Sequence, residues 1–407
     1  METQPPPSSA PALFDAAHGV EGSDPSTWGL LWVWPERRFT PLRDGMSVGR
    51  GADATHVLAG NSISRLHARF HRLGTVWELE DLESRNGSRV DGSSAGRAPL
   101  LEQSVVRLGD WVAVVTGTDP DDIIDPAWVG EPLPGFVAGA GTAQKLAPLQ
   151  ELARTESPLL LLGEEGSGKE VLARGIHQLS GCPGRYTAFN PSVNSDRVEA
   201  ELFGYAKDSS EGTPLDVEGS MHTAHLGTLF IDYLPALSAA LQSSLARVLE
   251  VRLATPVGRT RPRAADFRLV AAASEPLARG VLAGRVSAEL AARFGTDAVT
   301  IPPLRQRRED VPPIFEHALR RGGAVKHLTP AFVEALCLYD WPFNVRELVQ
   351  LAWLLSISSE ETLHARDLPE RFAADQPPSS DARARLRERR ASTSRKRGRD
   401  WDENSYA

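Results

Sequence analysis

Short alternating segments fill the chain between residues 28 and 117. Apolar and polar positions alternate within them, and turn signals at residues 43–45, 86–87 and 91–92 separate them. Alternation with a period of two places every second side chain on one face of a strand. Many short strands at close spacing predict a β-sandwich. The predicted strands cover residues 31–33, 47–48, 67–71, 76–79, 88–90, 105–108 and 112–115.

From residue 136 the pattern changes to strands that alternate with helices. This alternation predicts an α/β domain over residues 136–302, with a parallel sheet covered by helices. Its strands are predicted at residues 159–162, 228–231 and 268–272, and its helices at residues 168–179 and 237–249. Residues 303–373 show helical periodicity only, which predicts a small helical lid with helices at residues 311–320, 330–338 and 344–356.

The remaining segments have the composition of linkers and tails. Residues 1–27 are rich in Pro, Ser and Gly and predict a disordered lead. Residues 118–135 are acidic and Pro-rich and predict a linker. Residues 374–407 predict a basic disordered tail, and the alternative for it is a weak, salt-sensitive contact with nucleic acid phosphates. The tail lacks the apolar pattern of a helix-turn-helix, so sequence-specific DNA binding is not expected.

Charge is distributed unevenly along the chain. Residues 383–399 contain nine basic residues and one acidic residue, a net +8, while the whole chain carries −8. The rest of the chain therefore carries −16, which excludes a broad nucleic-acid-binding surface on the folded body. Two cysteines without paired spacing exclude a disulfide framework and a Cys-based zinc site. No secretory signal or membrane helix is visible, so we expect a cytoplasmic protein without a membrane partner.

Three polar stretches fall on predicted loops of the sandwich. They are Gly49-Arg50, the run Ser64-Arg65-Leu66-His67, and residues 84–88 with the sequence SRNGS. A phosphorylated side chain needs guanidinium groups together with hydroxyl or amide donors. Arg50, Ser64 and Arg65 have this chemistry, and the amide of Asn86 is suited to a ligand backbone. Taken singly, the arginines could equally be solvated surface charge and Asn86-Gly87 a hairpin turn.

Together, these three motifs resemble the forkhead-associated (FHA) domain over residues 28–117. The resemblance implies binding of a phosphothreonine-containing protein. It places Arg50 and Ser64 on the phosphate, and Arg65, Arg85 and Asn86 along the peptide. It gives His67 a structural role that braces the loop.

A second candidate site begins where the first apolar strand of the α/β domain ends. The loop GEEGSGKE opens a helix there, and a glycine-rich loop between strand and helix cradles phosphates with backbone amides and a lysine. Asp232 follows the second apolar strand, where a carboxylate binds magnesium. Tyr233 comes next and is a poor base near neutral pH. The predicted nucleotide-binding residues of the loop are Gly163, Glu164, Glu165, Gly166, Ser167, Gly168, Lys169 and Glu170.

The same region resembles the sigma-54 activator type of AAA+ ATPase over residues 136–373. The matching stretches are the GEEGSGKE loop, Asn190, and residues 201–204, 227–232, 241–242, 247–249, 302–305, 308–310 and 341–348. The resemblance implies ATP and Mg²⁺ as cofactors, a homo-oligomeric ring, and remodelling of RNA polymerase that carries sigma-54. It makes Arg346 the second sensor of the nucleotide and Arg293 an arginine that acts on the neighbouring subunit.

Four departures from that family lie at its working parts. Tyr233 stands where the family has the glutamate that positions water, a change that typically costs ~10²–10⁴-fold in rate. Ala273-Ser274 replace the sensor Thr-Asn, and Ser287 replaces the first of two trans-acting arginines. Residues 208–213 replace the Phe-Thr pair that contacts sigma-54. Asn190, whose family partner is the missing glutamate, loses that role.

Three hypotheses follow from these residues. In the first, the chain is a phosphothreonine-sensing, ATP-binding regulator of sigma-54-type transcription with weak or absent hydrolysis, acting alone or through an intact AAA+ relative. In the second, it is an active ATP-hydrolysing activator. In the third, the FHA domain works alone on a non-functional AAA+ scaffold. The first is favoured because binding residues are retained while groups that act in the transition state are lost.

Overall fold

The computed structural model describes residues 27–118, 124–192, 197–206, 217–295 and 298–372. Residues 1–26 of the predicted lead, the basic tail and the segment 208–213 lie outside these ranges, whereas Thr27, predicted as the end of the lead, is the first residue of a strand. Every helix within them is too short or too polar to span a lipid bilayer.

Residues 27–118 form the predicted β-sandwich. Its two sheets pack face to face around an apolar core that includes Trp32, Phe70 and Leu79. In this range the first sheet has the order Arg38–Pro41, Thr27–Trp34, Trp111–Thr118, Val105–Leu108, Ser88–Val90 and Ser93–Ser94. The second has the order His56–Val57, Met46–Gly49, Ala68–Leu73, Val76–Asp81 and Arg97–Leu100.

The segment predicted as a linker contains regular structure. The strand Val129–Leu133 pairs with Phe136–Gly139 in an antiparallel ladder. Leu133 is fully buried in the core of the α/β domain, so this hairpin belongs to that domain. The short helices Ala140–Leu146 and Pro148–Leu152 follow it.

A parallel sheet forms the centre of the α/β domain. Its strand order within the described residues is Tyr186–Phe189, Thr228–Ile231, Arg268–Ala273, Leu159–Leu162 and Ala298–Thr300. Continuous apolar runs such as Leu159–Leu162 fit this position, because helices cover both faces of such a sheet. The helices are Lys169–Ser180, Val198–Phe203, Ser220–Thr223, Ala239–Val251, Leu277–Leu282 and Ala288–Ala292. Two small ladders join Gly204–Tyr205 to Val217–Glu218 and Leu253–Ala254 to Arg263–Ala264.

The lid contains the helices Val311–Arg321, Pro330–Leu338 and Asn344–Ser356. Two 3₁₀ turns, Leu304–Gln306 and Arg308–Asp310, connect it to the α/β domain. The prediction of helices alone was incomplete, because His327–Leu328 pairs with Thr362–Leu363 in a short parallel ladder.

The sandwich packs directly on the lid. The first sheet of the sandwich contributes alternate residues to an apolar cluster that also contains side chains of the lid helices. These residues are Leu31, Val33, Val105, Val112 and Val114. The intervening residues on the same strands, such as Val106 and Ala113, face the core of the sandwich. Both faces of this sheet are therefore buried, one within the sandwich and one against the lid.

Candidate functional site

The predicted phosphopeptide residues meet on three loops of the sandwich. The Arg50 amide donates to the Ser64 carbonyl at 2.9 Å, and the Gly51 amide donates to the Arg65 carbonyl at 3.0 Å. The Arg85 amide donates to the Ser64 hydroxyl oxygen at 3.0 Å. These contacts fasten the loops that carry Arg50, Ser64, Arg65 and Arg85 to one another.

His67 connects two of these loops through hydrogen bonds of its ring. It is fully buried, and its Nδ1 accepts a hydrogen bond from the Ser64 amide at 3.2 Å. The ring proton therefore lies on Nε2, which donates to the Gly87 carbonyl at 3.2 Å. Burial lowers the pKa of His67, so the ring stays neutral near pH 7. This contact is of the structural kind that the sequence resemblance implies for His67.

The loop surface is suited to an anion. The side chains of Arg50, Arg65 and Arg85 are exposed, and none of them forms an ion pair with another described residue. The Ser64 hydroxyl accepts one hydrogen bond, which leaves its own proton available to a ligand. Asn86 Nδ2 donates to the Ser62 carbonyl at 2.7 Å and lies beside the same surface. Guanidinium and hydroxyl donors in this arrangement can bind a phosphate with charge-assisted hydrogen bonds.

The phosphate loop and Asp232 lie at one edge of the parallel sheet. The loop, residues 163–168, follows the strand Leu159–Leu162, and Asp232 follows Thr228–Ile231. The strand Arg268–Ala273 lies between these two strands. Because the carboxyl ends of parallel strands meet at the same edge, the sheet brings the loop and the carboxylate together.

Both the backbone conformation at position 166 and the close contact with the lid require glycine there. Its φ of 72° is unfavourable for any residue with a side chain. A Cβ atom there would also lie 2.2 Å from the Phe343 carbonyl oxygen. In addition, the Arg346 amide donates to the Gly166 carbonyl at 3.3 Å. The lid therefore packs against the phosphate loop at its central glycine.

Lys169 spans the loop from the first position of the helix. Its Nζ donates to the carbonyls of Gly163 at 2.9 Å and Glu164 at 2.8 Å. Burial lowers the pKa of Lys169 and raises the pKa of Asp232, and the charge of each group offsets part of the other's shift. The Ser167 hydroxyl oxygen is buried without a hydrogen-bond partner in the described part of the chain. The loop thus holds donors that phosphate oxygens can accept from.

Two acidic side chains of the loop are held by the lid. Arg305 donates to both carboxylate oxygens of Glu164, with NH1 to Oε2 at 2.8 Å, and Asn344 Nδ2 donates to the same Oε2 at 3.2 Å. Arg346 pairs with Glu165. The hydrogen bonds from the arginines lower the pKa of both glutamates, so both stay ionised.

Tyr233 faces the phosphate loop. Its backbone has a φ of 55°, and its side chain lies beside the Glu165 carboxylate. Partial burial, and then the nearby Glu165 charge, raise the pKa of Tyr233. A neutral phenol therefore stands next to Asp232, where the resembling family has a carboxylate.

The structure also places two other departures, Ser274 and Ser287, and two residues that match the family, Asn190 and Arg293. Asn190 Oδ1 accepts from the Ser192 amide at 2.9 Å, and Ser287 Oγ caps the helix Ala288–Ala292 by accepting from the Leu290 amide at 3.2 Å. Ser274 is exposed at the end of its strand. Arg293, predicted to act on a neighbouring subunit, pairs with Glu250 of the same chain at 2.7 Å.

Residues 304–310, here called the bridging segment, hold the phosphate loop from the lid side. Arg307 is almost fully buried, and its NH2 donates to the Ser167 carbonyl at 3.0 Å. Asp310 accepts from the Gly139 amide and from the Thr142 hydroxyl, each at 2.7 Å. Together with Arg305, these side chains fasten the segment to the phosphate loop and to the start of the α/β domain.

The same segment is held by the sandwich on its other side. The Arg308 amide donates to Gln103 Oε1 at 2.7 Å, and Arg308 NH1 donates to the Gln103 carbonyl at 3.0 Å. Arg37 NH1 donates to the Glu309 carbonyl at 2.8 Å. Burial and the neighbouring Asp310 raise the pKa of Glu309 to about 7. One short segment thus contacts both candidate-site domains.

Comparison with known families assigns each of these domains. Residues 46–109 match the FHA domain, residues 138–300 match the Sigma-54 interaction domain, and residues 305–385 match the AAA+ ATPase lid domain. The chain joins an FHA domain to a sigma-54 interaction domain and its AAA+ lid. The predicted β-sandwich, α/β domain and helical lid are confirmed.

Curated relatives match between half and about three fifths of this chain. The C4-dicarboxylate transport transcriptional regulatory protein DctD of Pseudomonas aeruginosa is 36% identical over 258 residues, which cover 61% of this chain and 55% of DctD. The Nif-specific regulatory protein of Herbaspirillum seropedicae is 38% identical over 209 residues, which cover 50% of this chain and 39% of that protein. The chain spans about half the length of the curated relatives it matches.

Solved structures of NtrX from Brucella abortus are similar in fold to part of this chain. One has a TM-score of 0.52 at 27% identity and covers 62% of this chain and 61% of NtrX. NtrX in complex with ATP has a TM-score of 0.50 at 26% identity, covering 62% of this chain and 60% of NtrX.

Several partners of the phosphate loop were not predicted from the sequence. Arg305, Arg307 and Asn344 contact the loop, although only Arg346 was assigned to nucleotide binding. Two adjacent glutamates in a loop that cradles phosphate are a signal that basic partners must lie nearby. That signal does not identify which arginines of the lid provide them.

Proposed function

We propose that this chain is a phosphothreonine-sensing, ATP-binding regulator of sigma-54-type transcription with weak or absent ATP hydrolysis. The observation that carries the proposal is the intact phosphate loop with Lys169 and Asp232, next to a tyrosine where hydrolysis needs a carboxylate. The FHA loops support the sensing part, because they present exposed arginines and a free hydroxyl proton.

Several features support nucleotide binding. The backbone of residues 163–168, Lys169 and the unpartnered Ser167 hydroxyl would hold the phosphates, and Arg346 would reach them from the lid once released from Glu165. NtrX, which is similar in fold to part of this chain, has been solved with ADP and with ATP. A triphosphate would supply the anionic oxygens that these donors lack.

Asp232 would hold Mg²⁺ together with the nucleotide. In the described residues no group of three or more His, Cys, Asp or Glu could form a metal site of protein ligands alone. Mg²⁺ commonly binds through one carboxylate, several waters and substrate phosphates, and Asp232 with a bound nucleotide fits that pattern.

The surroundings of Tyr233 support weak turnover. A group that orients attacking water must accept its proton or hold it in line with the γ-phosphate. The Tyr233 phenol lies beside Glu165, and its raised pKa keeps it protonated. Neither the exposed Ser274 nor the helix-capping Ser287 provides a replacement amide or guanidinium.

The matched family and its relatives support a role with sigma-54 RNA polymerase. DctD and the Nif-specific protein are named as regulators. For this chain we propose a phosphothreonine protein as the input, and either the polymerase or an intact AAA+ relative as the output. The proposal also includes a homo-oligomeric ring, in which Arg293 acts on the neighbouring subunit.

ATP titration with parallel measurement of phosphate release tests this function. We expect micromolar to submillimolar ATP binding, loss of that binding in Lys169→Ala, and phosphate release at least ~10²-fold below that of an intact activator such as DctD under the same conditions. Arg174→Ala is the matched control, since Arg174 lies on the same helix and pairs with the exposed Glu170.

The outcomes separate the three hypotheses. Phosphate release at the level of DctD would overturn the proposal in favour of an active ATPase. Absence of ATP affinity in the unaltered protein would leave the FHA domain as the working site on an inactive scaffold.

A further inference from the structure

A polar pocket lies next to the FHA loops. Its volume is about 270 Å³, and it is lined by Ser62, Asn86, Gly87, Arg89, Arg107, Gly109 and Asp110. Ser62 and Asn86 already border the proposed phosphopeptide surface, because Asn86 Nδ2 donates to the Ser62 carbonyl. A peptide held by Asn86 would therefore run past the mouth of this pocket.

Two arginines stand side by side in the pocket. Arg89 and Arg107 are directly opposite each other on the antiparallel strands Ser88–Val90 and Val105–Leu108. Like charges at such positions are unfavourable unless they share a counterion. Asp110 also lines the pocket, but no ion pair joins it to either arginine among the described residues.

The shared counterion comes from the lid. Glu334 of the helix Pro330–Leu338 lies 3.1 Å from Arg89 Nε through one carboxylate oxygen and 2.7 Å from Arg107 Nε through the other. Its side chain is only 6% exposed, whereas those of Arg89 and Arg107 are 32% and 24% exposed. The arginines are thus reachable from the pocket while the lid glutamate is enclosed behind them.

The pairing leaves donors unused. Within the described residues, the terminal nitrogens of Arg107 have no hydrogen-bond partner. A guanidinium binds a carboxylate most strongly through two parallel hydrogen bonds, which Glu334 does not provide to Arg107. An incoming carboxylate could provide them.

We propose that Arg89 and Arg107 form a carboxylate-binding site which Glu334 fills in the absence of a partner, and that an acidic side chain of the phosphoprotein displaces Glu334. This inference rests on the proposed phosphothreonine binding and names a second feature of the same partner. The displaced glutamate cannot remain buried without a counterion, because an unpaired buried carboxylate is strongly destabilising. The helix Pro330–Leu338 must then move away from the FHA domain.

Phosphopeptide binding to the full chain tests this site. The probes are fluorescein-labelled peptides with a central phosphothreonine and alanine flanks, in which one aspartate is placed at each flanking position in turn. We expect one position to tighten binding about tenfold over the aspartate-free peptide. The gain should fall to less than about twofold in Arg107→Gln and in Arg89→Gln, and should increase in Glu334→Gln, where the competing carboxylate is absent.

Arg97→Gln is the matched control, since Arg97 is exposed on the other sheet of the same sandwich and pairs with Glu80. It should keep the full gain. A second measurement uses the unaltered chain: the best aspartate peptide should increase amide hydrogen exchange in the helix Pro330–Leu338, and the aspartate-free phosphopeptide should not.

Each failure has a distinct meaning. If phosphorylated and unphosphorylated peptides bind equally weakly at every position, the proposed phosphothreonine sensing fails and this inference fails with it. If phosphopeptides bind without any preference for aspartate, or keep that preference in both arginine variants, only the carboxylate site is refuted. A preference without increased exchange in the lid helix refutes the displacement of Glu334.

Discussion

At the residue scale, the acidic side chains of the phosphate loop make a carboxylate at position 233 electrostatically unfavourable. Glu165 lies beside Tyr233, and its charge is compensated by Arg346 and by the nearby Lys169. Asp232 is the preceding residue. A carboxylate at position 233 would therefore add a further negative charge near Glu164, Glu165 and Asp232, where we propose that a triphosphate binds.

We predict that Tyr233→Glu restores little hydrolysis. Phosphate release at saturating ATP should rise less than ~10-fold, because Ser274 and Ser287 remain and Glu165 repels the new carboxylate. Tyr233→Phe is the control for loss of the hydroxyl alone and should leave release unchanged. A rise of ~10²-fold or more in Tyr233→Glu would mean that the missing glutamate was the main defect.

At the element scale, the bridging segment joins parts that are far apart in the sequence. Arg305 and Arg307 contact the phosphate loop, Asp310 binds the Gly139 amide, and Arg308 binds Gln103 of the FHA domain. The segment thus joins the FHA domain to the phosphate loop by direct contacts, and its Arg307 and Asp310 are buried.

Asp310→Ala should strongly destabilise this region. The change leaves the buried Arg307, the Gly139 amide and the Thr142 hydroxyl without their acceptor, and breaking a buried ion pair typically costs about 3–5 kcal/mol. Chemical denaturation should show an earlier transition for the α/β domain and lid. Asp340→Ala is the control, because Asp340 is 64% exposed and pairs with Arg308 at 3.4 Å, and its effect should stay within about 0.5 kcal/mol. Equal effects of the two substitutions would contradict this account.

Local signals explain which elements were predictable. The bounds of Pro330–Leu338 agree with the prediction because Thr329 caps the helix and proline occupies its first turn. The strand Val129–Leu133 was mistaken for linker, since only Leu133 of its residues is buried and it contains Pro and Glu. The edge strand Ala298–Thr300 was missed because none of its residues is buried.

Contacts that are local in the chain were also easier to predict at the candidate sites than contacts between distant residues. Loop residues such as Ser64 and Lys169 were recognisable because each motif is contiguous in the chain. The contacts of Arg305 with Glu164 and of Arg89 with Glu334 join residues 141 and 245 positions apart. Such pairs depend on how whole domains pack, which no local pattern encodes.

At the scale of the whole molecule, the FHA domain is docked on the lid through an apolar face and a polar rim. Val112 and Leu31 belong to the apolar face, while Arg37, Gln103 and Arg89 provide the polar contacts. An interface with an apolar centre resists separation, so displacement of the buried Glu334 by a partner would be opposed by the apolar contacts between sandwich and lid.

Val112→Asp should separate the two domains. Val112 is fully buried in the cluster shared with the lid, and an unpaired carboxylate there would have to reach water. We expect a larger radius of gyration in small-angle X-ray scattering and faster amide exchange in the helix Pro330–Leu338. Val57→Asp is the control, because Val57 is half exposed on an edge strand of the opposite sheet, and it should change neither quantity. An unchanged radius and exchange in Val112→Asp would show that the domains do not depend on this face.

The first sheet of the sandwich, which is buried on both faces, has a consequence for evolution and for protein engineering. Val105, Val112 and Val114 pack against the lid, while their neighbours on the same strands pack inside the sandwich. A chimaera in which another sensor domain replaces the residues before position 124 would therefore expose the apolar surface of the lid helices. A viable graft would have to bring a matching hydrophobic surface with it. Substitutions on either side should therefore accumulate in pairs, and the sensor and lid should evolve as a single unit.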